Sequence, residues 1–142
     1  MNRISLTIES YPENVALVGL CVKEIAGNYF TESQIAEIEQ ALIETVNNCI
    51  EHAYSDGEGQ ITIKFTPSKE RLIVEIIDQG KKFKQNCFEN LDCKIDFDPL
   101  DLNNLPEGGF GLKVIKSCMD EVNYRNDGEN NYWFLSKNVT KL

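Results

Sequence analysis

Histidine is nearly absent: His52 is the only one in 142 residues, so any site built on two imidazoles is excluded. Cysteine occurs five times, at Cys21, Cys49, Cys87, Cys93 and Cys118, but never as a C-x-x-C pair and in an odd number. That argues against a disulfide framework and against a cysteine-rich zinc site. Free thiols suit a reducing compartment, so the expected location is the cytoplasm. No run approaches the ~18 apolar residues of a membrane span, and the short, alternating segment 1–8 does not read as a signal peptide. Basic residues are also few: 14 Lys and Arg stand against 23 Asp and Glu, a net charge of −9. Such a surface repels phosphate backbones and anionic lipid, so neither nucleic acid nor membrane is an expected partner. G-x-x-x-x-G-K-[ST] and G-x-G-x-x-G are both missing, which removes P-loop and Rossmann nucleotide sites.

What is present is the balance of one folded domain over 1–142, with 42% hydrophobic and 26% charged residues. Ile4, Leu6 and Ile8 alternate with polar neighbours, the two-residue period of a half-buried strand. Ser10 is available as a cap and Pro12 suits the first turn of a helix, which Val15, Val18, Val22 and Ala26 continue at helical spacing. A second helix starts at Thr31 or Ser33. Ile35, Ile38, Leu42, Thr45, Cys49 and Ala53 mark its buried face, and it ends near residues 55–57. Ile61, Ile63 and Phe65 alternate again, and the run 72–77 is apolar on both faces, which places it in the middle of a sheet. Residues 81–107 show no sustained period. Within that stretch Glu89, Asp92, Asp96, Asp98, Asp101 and Glu107 face the single Lys94 after position 84, so much of the acidic surplus is local. Gly108 to Gly111 then open a short helix. A closing hairpin follows, with its turn at Asp127-Gly128.

Three groups of residues could carry chemistry. At about 100° per residue, Glu44, Asn48 and His52 share a stripe beside the buried face of the long helix. A carboxylate and an amide oxygen one turn apart could take a proton and coordinate a hard cation such as Mg²⁺, or could be an ordinary solvated face. Asp78, leaving the end of a buried strand before Gly80, could accept from an amino group on a planar ring, or could simply make a turn. Gly108, Gly109 and Gly111 at a helix start could cradle phosphate, or could be a hinge.

The order of these groups resembles the nucleotide site of the GHKL ATPase superfamily, and more closely that of the anti-sigma factor serine/threonine kinases. The resemblance rests on Glu44, Asn48 and His52-Ala53-Tyr54, then Asp78-Gln79-Gly80, then Gly108 to Leu112, then Met119-Asp120-Glu121-Val122, and spans about residues 5 to 137. It implies an α+β fold, a two-layer sandwich of a mixed, mostly antiparallel sheet with helices on one face. It implies ATP and Mg²⁺ as cofactors, with Glu44 as the general base and Asn48 as the metal ligand. Asp78 would accept from the adenine amino group and Gly80 would pack near the base. Residues 81–107 would form an ATP lid, and Gly108, Gly109, Gly111 and Leu112 would lie at the phosphates. His52 would be structural. Lys81 and Lys82 would reach a phosphate or remain solvated surface.

By the same resemblance the substrate is an anti-anti-sigma protein with a STAS domain, and the second partner is a sigma factor sequestered in a partner switch. Homodimers are common in that group. The alternative is a non-catalytic ATP- or ADP-binding module that regulates another protein by binding alone.

Overall fold

A computed structural model describes residues 1–55, 57–82 and 110–140. The elements run β1 (Ile4–Glu9), a 3-10 turn (Pro12–Asn14), α1 (Val15–Ala26), α2 (Glu32–Asn48), a π-helical turn (Cys49–Ala53), β2 (Gln60–Pro67), β3 (Arg71–Asp78), α3 (Phe110–Cys118), β4 (Glu121–Asn126) and β5 (Asn131–Asn138). The sheet order is β1-β2-β3-β5-β4, and every pairing among the described residues is antiparallel. The expected α+β architecture is therefore present, and β3 is the central strand, as its two apolar faces require.

Period two decides which face is covered. Ile61, Ile63 and Phe65 of β2, Leu72, Val74 and Ile76 of β3, and Trp133 and Leu135 of β5 are all buried and fall in one core with Val18, Val22, Ile38, Leu42 and Ile115 from the helices. Helix α2 packs between α1 and α3, so its own apolar stripe meets the sheet while its flanks meet the other two helices. Truncating a side chain as enclosed as Leu42 would cost about 2–5 kcal/mol. No helix among the described residues is long and apolar enough to cross a membrane.

Local signals set the helix ends. Thr31 Oγ1 accepts from the backbone N–H of Gln34 at 3.2 Å, while Gln34 Oε1 accepts from the backbone N–H of Thr31 at 3.0 Å, a reciprocal capping box that starts α2. Ser10 does not cap: its hydroxyl accepts from the Gly59 N–H at 3.0 Å and so ties the end of β1 to the approach to β2. The hairpin turns at Gly128, with φ +96°, as the Asp-Gly pair predicts.

Candidate active site

The site forms where the C-terminal end of α2, the C-terminal end of β3 and the N-terminal end of α3 converge. Glu44 and Asn48 lie one turn apart on α2, both half-buried. Gln40, one turn earlier, donates from Nε2 to Glu44 Oε1 at 3.0 Å, which fixes one carboxylate oxygen. Burial pushes the Glu44 carboxyl above its usual range, the negative charge of Glu51 adds to this, and the Gln40 hydrogen bond works against it. A desolvated carboxylate of that kind is a better proton acceptor than a solvated one.

Gly111 shows what the other oxygen faces. A Cβ at this position would stand 2.8 Å from Glu44 Oε2 and 3.5 Å from Asn48 Oδ1. The first turn of α3 thus meets both side-chain oxygens at close range, and any larger residue at 111 would have to displace the Glu44 carboxylate. Asn48 Nδ2 is buried and has no hydrogen-bond partner among the described residues. Two acceptor oxygens brought to one point favour a cation there, and an orphaned amide is the cost of turning Oδ1 toward it. Among the described residues no cluster of three His, Cys, Asp or Glu side chains could hold a metal unaided. A divalent ion at Asn48 would complete its shell from phosphate oxygens and water, as Mg²⁺ commonly does.

Asp78 closes β3 and is 2% exposed. Its Oδ1 accepts from the Gly80 N–H at 2.9 Å and from Asn131 Nδ2 at 2.7 Å. The Cys49 thiol is pushed well up, first by burial and then by the charge of Asp78 and a hydrogen bond to it. Gly80 is forced by a different neighbour from the nucleotide base. Its Cβ would stand 2.3 Å from the Ala53 carbonyl oxygen, and that same carbonyl accepts from the Lys81 N–H at 2.8 Å. The segment after β3 is therefore laid directly on the π-helical turn that ends α2. The Tyr54 hydroxyl reinforces this joint, donating to the Gln60 carbonyl at 2.7 Å and accepting from the Gln79 N–H at 2.8 Å.

Of the residues singled out in the sequence, Glu44, Asn48 and Gly111 come together at one point. Asp78 and Gly80 lie at the neighbouring end of the sheet. Leu112 turns its side chain into the core, 3% exposed, so only its backbone in the first turn of α3 is left for a ligand. His52, Lys81 and Lys82 are exposed. Gly108, Gly109 and all of the lid expected over 81–107 except Lys81 and Lys82 lie outside the described residues. Asn131 and Gln40 were missed. The signal for Asn131 was a polar residue where the period of Trp133 and Leu135 calls for an apolar one, and for Gln40 it was the four-residue spacing to Glu44.

Comparison with known proteins identifies the family and the fold. Residues 8–136 match the histidine kinase-like ATPase domain family. The chain is 32% identical over 130 residues to the serine-protein kinase RsbW of Bacillus cereus, covering 88% of this chain and 78% of the relative. It is 31% identical, with the same coverage, to the protein of that name from Bacillus mycoides. Among solved structures, the RsbU and RsbW domains of a Mycobacterium tuberculosis protein superpose with a TM-score of 0.68 at 16% identity; all of this chain is covered, but it spans only 34% of that longer chain. The catalytic domain of the histidine kinase ThkA superposes with a TM-score of 0.57 at 18% identity, covering 99% of this chain and 100% of that one, and so shares the fold. The chain belongs to the histidine kinase-like ATPase domain family, among its anti-sigma factor serine/threonine kinases.

Proposed function

We propose that this protein transfers the γ-phosphate of ATP to a serine or threonine of an anti-anti-sigma antagonist with a STAS domain. In the same reading it sequesters a sigma factor whenever that antagonist is phosphorylated. The observation that carries the proposal is the meeting of Glu44 Oε2, Asn48 Oδ1 and the first turn of α3 at Gly111. A base, a cation ligand and a positive helix end are what phosphoryl transfer requires at one place, since the reaction depends on positioning and charge neutralisation more than on covalent chemistry.

Glu44 accepts the proton of the attacking hydroxyl. The hydroxyl oxygen bonds to the γ-phosphorus, the bond from that phosphorus to the β–γ bridging oxygen breaks, and ADP leaves. Asn48 would hold Mg²⁺ through Oδ1, and the ion, when bound, would supply charge neutralisation on the phosphate oxygens. The N–H groups in the first turn of α3, where Gly111 lies, stabilise negative charge beside them. Asp78 accepts from the adenine amino group and fixes the depth at which the base sits.

Purified protein, incubated with Mg²⁺, γ-labelled ATP and the STAS protein encoded beside its gene, should label that protein on serine or threonine. If the STAS protein remains unlabelled while binding the chain in a nucleotide-dependent way, the chain regulates by binding alone. The location in this reading is the cytoplasm, where Cys21, Cys49 and Cys118 remain free thiols. A homodimer, common in the group, would appear by light scattering as twice the 16.1 kDa chain mass.

A further inference from the structure

We infer that Asn131 is a positioning residue for nucleotide selection, holding the Asp78 carboxylate so that its second oxygen stays aimed at the amino group of a 6-aminopurine. The inference rests on the proposed role of Asp78 as the adenine acceptor. Antiparallel register sets Asn131, the first residue of β5, directly across from Asp78, the last of β3. Both are enclosed, at 1% and 2% exposure.

Asn131 is held from both ends. Its Nδ2 donates to Asp78 Oδ1 at 2.7 Å and also lies 3.0 Å from the Lys81 carbonyl and 3.2 Å from the Gly80 carbonyl. Its Oδ1 accepts from the Tyr124 hydroxyl and from Asn126 Nδ2 at 2.9 Å, both on β4. Three acceptors on the nitrogen side and two donors on the oxygen side allow one amide orientation only, because a flip would set oxygen against carboxylate. The hairpin is in this way the frame against which Asp78 is aligned.

The consequence lies in how the carboxylate is used. Gly80 N–H and Asn131 Nδ2 both converge on Oδ1, and the Cys49 thiol also hydrogen-bonds to the carboxylate, so Oδ2 is the oxygen that neither the Gly80 N–H nor the Asn131 amide occupies. An amino group on a purine satisfies that oxygen, whereas a 6-oxo group presents a second acceptor to it. With the Asn131 donor removed, Asp78 is free to rotate, and its second oxygen is no longer held toward the amino group. Selectivity between the two purines then falls.

The test measures ATP and inosine triphosphate affinities by competition with a fluorescent ATP analogue, on the whole chain with Mg²⁺. Wild type should prefer ATP, and Asp78→Ala should lose that preference. Asn131→Ala should weaken ATP binding by about tenfold or more, as expected for a lost hydrogen bond to a charged group, with inosine triphosphate affected much less. An equal loss for both nucleotides, or an unchanged ratio, overturns the inference. Asn131→Asp places two carboxyls in contact that must share a proton, so its ATP affinity should fall relative to wild type as pH rises. If Asn131→Ala does not fold, this profile is read in its place, and one parallel to wild type overturns the inference. Should Asp78→Ala keep wild-type affinity and preference, the adenine reading itself fails. Should Asp78→Ala behave as expected and Asn131→Ala not, only the inference about Asn131 fails.

Discussion

Gly111→Ala separates stability from activity, because the added methyl meets no backbone and only two functional side chains. Its carbon would stand 2.8 Å from Glu44 Oε2 and 3.5 Å from Asn48 Oδ1. The shorter distance is about half an ångström inside ordinary contact, so the carboxylate must swing aside by roughly that amount. The helix does not suffer, since alanine is the better helix former, by about 0.5–1 kcal/mol in a helix interior and by less in a first turn such as this. A reacting group displaced by an ångström can cost about a hundredfold in rate. The expected result is a thermal midpoint equal to or above wild type, together with a phosphotransfer rate lower by at least about tenfold. Differential scanning fluorimetry and single-turnover transfer from labelled ATP read the two quantities on the same preparation. Wild-type turnover in Gly111→Ala would refute the reasoning, because it would mean that the position of Glu44 does not matter to transfer.

Gly80→Ala should behave in the opposite way. Its methyl would collide with the Ala53 backbone at 2.3 Å, which no side-chain rotation relieves, so urea unfolding should show a loss of about 1–3 kcal/mol or more. Tyr54→Phe removes the hydroxyl that serves the Gln60 carbonyl and the Gln79 N–H, and should cost about 1–3 kcal/mol in the same assay, with proteolytic cleavage near residues 54–60 becoming faster. Glu44→Gln should change the pH dependence of stability. A carboxyl raised in the folded state holds its proton more tightly than in the unfolded chain, so its contribution is complete below the ordinary glutamate pKa and is lost as pH rises through the raised value. The variant lacks this loss. Its advantage over wild type should therefore grow with pH above the ordinary glutamate range and then level off, whereas a constant difference would mean that Glu44 is not desolvated.

Much of the fold was legible because burial leaves periodic marks. The alternation through Ile61, Ile63 and Phe65, the double-sided apolar run of β3, and the helical spacing from Ile38 to Cys49 each follow from one face meeting the core. Local chemistry narrowed the start of α2 to Thr31 or Ser33, and the capping box with Gln34 selects Thr31. The rest depends on contacts between distant segments. Gly80 looked like a glycine reserved for a ligand, yet the Ala53 carbonyl occupies the space a side chain would need. Nothing in a one-dimensional pattern marks the π-helical turn that brings this carbonyl there, nor the register that sets Asn131 against Asp78. Glu44 and Asn48 were legible as a pair from their spacing. Their convergence with Gly111, more than sixty residues later, required the packing of α3 on α2.

The central claim is that Glu44 acts as a base in phosphotransfer rather than as a binding or structural group. Single-turnover transfer to the STAS partner, measured beside ATP affinity for wild type and Glu44→Ala, tests it most directly. The account predicts that Glu44→Ala binds ATP with largely unchanged affinity and still folds, while transfer drops by about a hundredfold or more. Transfer at the wild-type rate by Glu44→Ala would contradict it.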